Sequence, residues 1–200
     1  IDIVIHAAAM KIIPTCERDP FECIHTNVLG AENVARAALR AGVRQVMALS
    51  TDKAAAPLNL YGASKLAAEK LFMAANSVSA GATRYSAVRY GNVVGSRGSV
   101  IPLFKRLAAE GQTLPITHPD MTRFWITIDQ AVEFVITSLT KMDRGEIFVP
   151  KLPSMRITDL ARVFSPDSEW DIVGIRPGEK LHEILIASEA AAFDYTQPHR

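Results

Sequence analysis

Five side chains in one short stretch carry the chemistry of this sequence. Ser50-Thr51-Asp52-Lys53 closes an apolar run, and Tyr61-Gly-Ala-Ser-Lys65 follows it. A tyrosine four residues before a lysine on a helix puts both side chains on one face, one turn apart. The ammonium favours the phenolate, so Tyr61 is expected to act as a base near neutral pH instead of near its usual pKa of about 10. Thr51 is expected to share a hydrogen bond with the same substrate oxygen. Such a set can take a hydride from a carbinol. Asp52-Lys53 beside it offers a second acid and a second base, which are useful together only where the environment pushes their pKa values apart. Adjacent opposite charges also occur as solvated pairs that contribute little, and Tyr61 and Lys65 alone would suit a plain amphipathic helix start. Their convergence at a strand end favours chemistry, because open α/β sheets bind ligands at strand carboxyl ends.

The elements that must position these groups alternate regularly. Residues 3–5 form an apolar strand, and 20–39 carry Phe21, Ile24, Val28, Ala31 and Ala35 at helical spacing. Gly42 stops that helix, and 45–49 make the next strand. A helix over 61–76 carries the Tyr-Lys pair, and 84–89 form a third strand. Strands separated by such helices imply right-handed crossovers and a parallel sheet covered on both faces. After Gly91 the grain changes, with Pro102, Pro115 and Pro119 interrupting shorter segments. Residues 129–140 read as a helix, 146–149 as a strand, 158–163 as a short helix, 170–175 as a strand, and 179–186 as a helix opened by Pro177-Gly178.

The predicted fold class is therefore α/β. It is a partial Rossmann-like doubly wound parallel sheet lacking its first βαβ units, followed by a smaller mixed α/β lobe. Residues 1–98 are expected to be the C-terminal part of a dinucleotide-binding domain with the catalytic residues. Residues 99–200 are expected to be mainly the substrate lobe, with 123–150 returning to the sheet. No glycine-rich dinucleotide fingerprint is present, and Gly91-Asn-Val-Val-Gly95 reads better as a substrate loop. The chain opens directly on a strand without an initiator Met. It is expected to be a piece of a longer protein, with roughly 60–80 preceding residues holding the fingerprint, since one βαβ unit takes about 30.

Composition narrows the partners. Apolar residues make up 48% of 200, enough for a substantial core, and 22 basic residues nearly cancel 21 acidic ones without any basic run. That pattern offers no nucleic-acid surface and no polybasic membrane contact. Cys16 and Cys23 lack partners for a zinc site or a disulfide framework, and the five histidines form no metal-like spacing. His6 reads as a structural histidine rather than a catalytic one. No apolar run is long enough to span a bilayer. A reducing cytoplasm is the expected setting.

The chain resembles the extended short-chain dehydrogenase/reductase superfamily. The resemblance rests on Tyr61-x-x-x-Lys65, on Asn27 in Thr26-Asn-Val-Leu-Gly30, and on the strand ending in His6-Ala-Ala-Ala9. Four stretches, 48–54, 59–65, 88–102 and 174–183, resemble more closely the inverting UDP-N-acetylglucosamine 4,6-dehydratases of the pseudaminic acid branch. Larger membrane-anchored relatives usually carry Met where this chain has Tyr61, so the resemblance points to the small soluble branch. It implies a lyase with tightly bound NADP, or alternatively NAD, acting on UDP-N-acetylglucosamine, and a homo-oligomer when full length.

It also implies roles. Thr51, Asp52, Lys53, Tyr61 and Lys65 would be catalytic, with Asp52 the acid at C6 and Lys53 the base at C5. Ala7, Ala8, Ala9, Asn27, Ser50, Tyr61, Lys65 and Tyr90 would contact the cofactor. Lys11, Asn92, Arg97, Val100, Arg123, Arg176 and Glu179 would contact the substrate, Arg97 and Arg176 clamping its diphosphate. Asn92 reads equally as a turn residue beside Gly91, Arg97 equally as a surface residue, and Arg123 also as a strand-edge residue. A nucleotide-sugar 4-epimerase, a retaining dehydratase and an inactive nucleotide-sugar-binding piece are the alternatives. Epimerases need no extra acid and base, and retaining dehydratases more typically show Asp-Glu where this chain has Asp52-Lys53.

Overall fold

The computed structural model describes residues 1–143, 145–166 and 170–187. Four parallel strands form the main sheet in the order β1 (Ile3–His6), β2 (Gln45–Thr51), β3 (Arg84–Tyr90) and β7 (Ile147–Phe148). β1, β2 and β3 are neighbours both in sequence and in space, and β7 joins β3 after the chain has passed through three other strands. The side chains of β2 alternate between two cores, because successive residues of a strand point to opposite faces. Val46 and Ala48 pack with α3 (Gly30–Arg40) and α4 (Leu60–Ser79) around Phe72 and Tyr85. Met47 packs on the other face with Val135, Leu139 and Met142 of α6 (Ile128–Lys141) and its flank. The doubly wound α/β expectation holds, and α6 and β7 lie on this sheet.

Local sequence explains the element ends. Asp19 accepts from Glu22 N at the head of α2 (Pro20–Ile24), which follows α1 (Ile13–Arg18). Asn59 accepts from Gly62 N at 2.8 Å, which starts α4 one residue before Tyr61. Thr127 and Gln130 form a reciprocal capping box on α6. The helical run 20–39 read from the sequence is one rod interrupted by a π-helical turn, His25–Leu29, between α2 and α3. Such turns often occur at functional sites. Here it turns the side chain of Asn27 inward, where it bonds Met10 N, Met10 O and Ser64 Oγ at 2.8–2.9 Å.

The second lobe has its own core of Phe104, Leu114, Ile116, Trp125 and Leu160, among others. Its elements are β4 (Asn92–Val93), α5 (Val100–Ala109), β5 (Leu114–Ile116), β6 (Thr122–Ile126), β8 (Ser154–Arg156), α7 (Ile157–Phe164) and β9 (Trp170–Ile172). β6 pairs parallel with β4 and antiparallel with β8, while β5 pairs with β9. Gly91 lets the two lobes meet closely, since a Cβ there would lie 2.6 Å from Phe124 Cβ.

The helix expected over 179–186 does not form. Pro177-Gly178 is instead a turn, with Gly178 at φ +80°, and the chain beyond it is irregular, bending at 181 and 185–186 with one isolated bridge from His182 to Thr122. Its carbonyls are engaged elsewhere: Leu181 O accepts from Thr122 N and Arg123 Nη1, and Leu185 O accepts from Arg89 Nη1 at 2.8 Å. Carbonyls held by other elements cannot close a helical ladder. The strand expected over 170–175 is limited to β9.

Candidate functional site

The carboxyl ends of the sheet strands open into one cleft of about 540 Å³. β2 delivers Ser50 and Thr51 to its floor, β3 delivers Tyr90, and the loop after β1 contributes Ala7 and Ala9. α4 begins beside them, so its first turns bring Tyr61 and Lys65 to the same wall. Lys11, Asn92, Arg97, Arg176 and Glu179 also line the cleft. Lys11 Nζ donates to Arg97 O at 3.0 Å, which ties two of the loops together.

A continuous polar chain runs from the phenol to the Asp-Lys step. Tyr61 is hydrogen-bonded to Thr51. Thr51 Oγ1 donates to Asp52 Oδ1 at 2.9 Å, and Lys53 Nζ meets the same oxygen at 3.0 Å. Lys53 Nζ also reaches Asn92 Oδ1 at 3.5 Å and Glu183 Oε1 at 3.7 Å. The Asp52 side chain is 0% exposed, and its Oδ2 is buried without a hydrogen-bond partner. Asp52 therefore stands behind Thr51 and Lys53 and does not line the cleft.

The electrostatics correct one expectation. Burial pushes the Tyr61 phenol above its ordinary range; the Thr51 hydrogen bond opposes this, while Asp52, Tyr90 and Cys16 add to it. Lys65 Nζ donates to Leu49 O at 2.6 Å, and burial is the largest influence on the phenol. Lys65 is itself pulled below its ordinary value by burial, with Glu69 partly offsetting the loss. Tyr90 is raised by burial. His6, buried at the end of β1 with its ring 5.5 Å from that of Phe72, is lowered by burial and by Lys65.

Of the residues singled out in the sequence, Ala7, Ala9, Lys11, Ser50, Thr51, Lys53, Tyr61, Lys65, Tyr90, Asn92, Arg97, Arg176 and Glu179 share the cleft. Ala8 is exposed outside its lining. Asn27 braces the loop after β1 from beneath. Val100 packs against the core of the second lobe. Arg123 is buried between strands and donates to Thr122 O at 2.7 Å and to Leu181 O at 3.2 Å. It braces the second lobe because its guanidinium is consumed by these carbonyls.

Two groups of residues escaped the sequence reading. Glu69 and Arg89 form a buried pair, Oε2 to Nη2 at 2.6 Å, and Ser50 Oγ also bonds Glu69. Glu69 lies one turn beyond Lys65 on the same face of α4, so its spacing carried a legible signal. Glu183 and Lys180 escaped because their segment read as a helix; Lys180 Nζ reaches Glu183 Oε2 at 3.4 Å and Ala55 O at 2.6 Å.

The floor suits the nicotinamide half of a dinucleotide. Small Ala7 and Ala9 leave space beside Thr51, Tyr61 and Lys65, which converge as hydrogen-bonding groups for a ribose and a carbinol. No two glycines stand one residue apart, so the chain holds no G-x-G pyrophosphate turn. Among the described residues no cluster of His, Cys, Asp or Glu could hold a metal ion, and no helix is long and apolar enough to cross a membrane.

Comparison with known proteins places this geometry in context. A family model described as polysaccharide biosynthesis protein matches residues 1–199. The UDP-N-acetylglucosamine 4,6-dehydratase (inverting) of Campylobacter jejuni subsp. jejuni serotype O:2 is 55% identical over 197 residues, covering 98% of this chain and 59% of that protein. A protein named UDP-glucose 4-epimerase from Rickettsia conorii is 47% identical, covering 96% of this chain and 58% of its own length. The X-ray structure of Pen from Bacillus thuringiensis superposes with TM-score 0.91 at 38% identity, over 96% of this chain and 62% of that one. The chain thus spans about three fifths of the length of the curated relatives it matches.

Proposed function

Because this chain belongs to the polysaccharide biosynthesis protein family, we propose that it carries the catalytic half of an inverting UDP-N-acetylglucosamine 4,6-dehydratase. The observation that carries the reading is the pairing of Lys53 Nζ with the buried Asp52 Oδ1 at 3.0 Å, beside Tyr61 and Asn92. An oxidoreductase that only moves hydride at C4 needs Tyr61 and Lys65 but has no use for this couple. The likeness to the Campylobacter UDP-N-acetylglucosamine 4,6-dehydratase (inverting) and the four resembling stretches support the same assignment.

A nicotinamide bound over Ala7 and Ala9 would supply the hydride acceptor at C4 and the donor at C6. Tyr61 takes the C4 hydroxyl proton, and Thr51, bonded to both Tyr61 and Asp52, connects that proton to the Asp-Lys couple. The 4-ketone acidifies C5, and Lys53, on the cleft wall, removes that proton in its neutral form. Water leaves C6 with a proton from Asp52 delivered through Thr51, since the Asp52 carboxyl does not reach the cleft. An amine and a carboxylic acid form from this pair without any net uptake of protons when one proton moves across the 3.0 Å contact. The ammonium-carboxylate pair is then the charge state left once elimination is complete. C5 is reprotonated from the opposite face, giving the L-arabino product. Arg97 and Arg176 line the cleft where a diphosphate would lie, and Glu179 stands beside them for ribose hydroxyls.

The finer parts of this reading come from the resembling motifs. They are NADP as the nucleotide, a place in pseudaminic acid synthesis, a cytoplasmic setting and a homo-oligomeric full-length protein. The test is to incubate the full-length protein with UDP-N-acetylglucosamine in deuterated water and follow the sugar by NMR. Solvent deuterium at C5, a new C6 methyl and an L-arabino 4-keto product are expected. A product that keeps its C6 hydroxyl overturns dehydration; if it is the C4 epimer, the second reading, favoured by the Rickettsia relative's name, replaces it.

A further inference from the structure

Lys53 is held by a second anion that the catalytic reading does not use. Glu183 is 3% exposed at its side chain and places Oε1 3.7 Å from Lys53 Nζ. Its other oxygen faces Lys180 Nζ at 3.4 Å, and Lys180 is fixed in turn by its 2.6 Å bond to Ala55 O, in the loop just past Lys53. Asp52, Lys53, Glu183 and Lys180 thus alternate in sign along one line, two carboxylates and two ammoniums in a largely buried space. Tyr61, Tyr90, Lys65, Lys11, Arg97, Arg176 and Glu179 line the same cleft as Lys53.

We propose that Glu183 and Lys180 are positioning residues that set the proton affinity of Lys53, acting as an opposed pair on the strap that crosses the site. An anion within 4–6 Å favours an ammonium, and a cation disfavours it. Glu183 therefore stabilises protonated Lys53, and Lys180 limits that effect by claiming half of the same carboxylate. The strap is secured by Asn59 Nδ2 to Gly178 O at 2.8 Å and by Arg89 Nη1 to Leu185 O at 2.8 Å. This inference deepens the dehydratase reading and rests on it for its purpose, but its test does not require turnover.

The full-length protein is labelled with acetic anhydride across a pH series, and acetylation of Lys53 is followed by mass spectrometry with exposed Lys11 as the internal standard. Only the free amine reacts, so the midpoint reports the Lys53 titration. Glu183→Gln removes the anion and leaves Lys180 uncompensated, and the midpoint is expected to fall by about one pH unit. Lys180→Met frees the whole carboxylate for Lys53, and the midpoint is expected to rise by a similar amount. The double variant should fall between them. A merely structural role would change thermal stability or all lysines together, without opposite shifts confined to Lys53. Midpoints that stay put, or that move in the same direction in both single variants, overturn the inference. Opposite shifts in a protein that leaves the C6 hydroxyl intact would uphold the inference while refuting dehydration.

Discussion

At the scale of single residues, the site is a contest between burial and charge. Tyr61 reaches the cleft as a phenol whose proton is held more tightly than usual, because burial outweighs its hydrogen bond to Thr51. Lys65, one helical turn further on, donates to Leu49 O at the end of the neighbouring strand. The residue best placed to act at C5 is Lys53, on the cleft wall with an anion on either side. In the full-length protein, Lys53→Ala should leave UDP-N-acetylglucosamine binding near normal by calorimetry while C5 deuterium exchange falls on the order of 10²- to 10⁴-fold, the range for a lost general base. Exchange at the wild-type rate removes Lys53 from that role. The residue types were legible in the sequence, as was the spacing of Tyr61 and Lys65. The retreat of Asp52 behind Thr51 was not, because Asp52 opens a short 3-10 turn after β2 and the sequence does not say which way that turn carries its side chain.

At the scale of elements, the turn that holds Asp52 and Lys53 is seated directly on the first turn of α4. A Cβ at Gly62 would fall 2.3 Å from Lys53 O and 3.0 Å from Pro57 Cβ. Replacing glycine by alanine inside a helix ordinarily adds about 0.5–1 kcal/mol of stability. Here the collision is with backbone, and overpacking costs roughly 1–3 kcal/mol, so the clash outweighs the propensity gain. Gly62→Ala is accordingly expected to lower the thermal midpoint and to reduce kcat by displacing Lys53. A raised midpoint with unchanged kcat would show that the seat is loose. The helices and strands with full amphipathic or apolar patterns, α3, α4, α6 and β1 to β3, were readable to within a few residues. Short β5 and β6 and the π-helical turn were not, since their formation depends on partners distant in sequence.

At the scale of the whole molecule, the cleft is lined from both the sheet and the second lobe. Gly91 is the hinge of contact, pressed so near Phe124 that a Cβ would lie 2.7 Å from its carbonyl oxygen. Gly91→Ala should separate β3 from β6, destabilise the protein by roughly 1–3 kcal/mol and lower Tm by several degrees in a calorimetric scan; an unchanged Tm would mean the lobes pack independently there. The strap over residues 175–187 belongs to this scale too. Its carbonyls are claimed by Arg89 and Arg123, and its Glu183 reaches the Asp-Lys step from far along the chain. The sequence by itself determined the alternating α/β order, the parallel sheet and the hydroxyl, phenol and amines at its edge, because periodicity and short spacings are local properties. Only the tertiary structure decided that 179–186 is an irregular strap, that Arg123 is a brace, and that Glu183 reaches Lys53 with Lys180 behind it. Those outcomes follow from which buried donors and acceptors meet after folding, and that pairing is written in no local pattern.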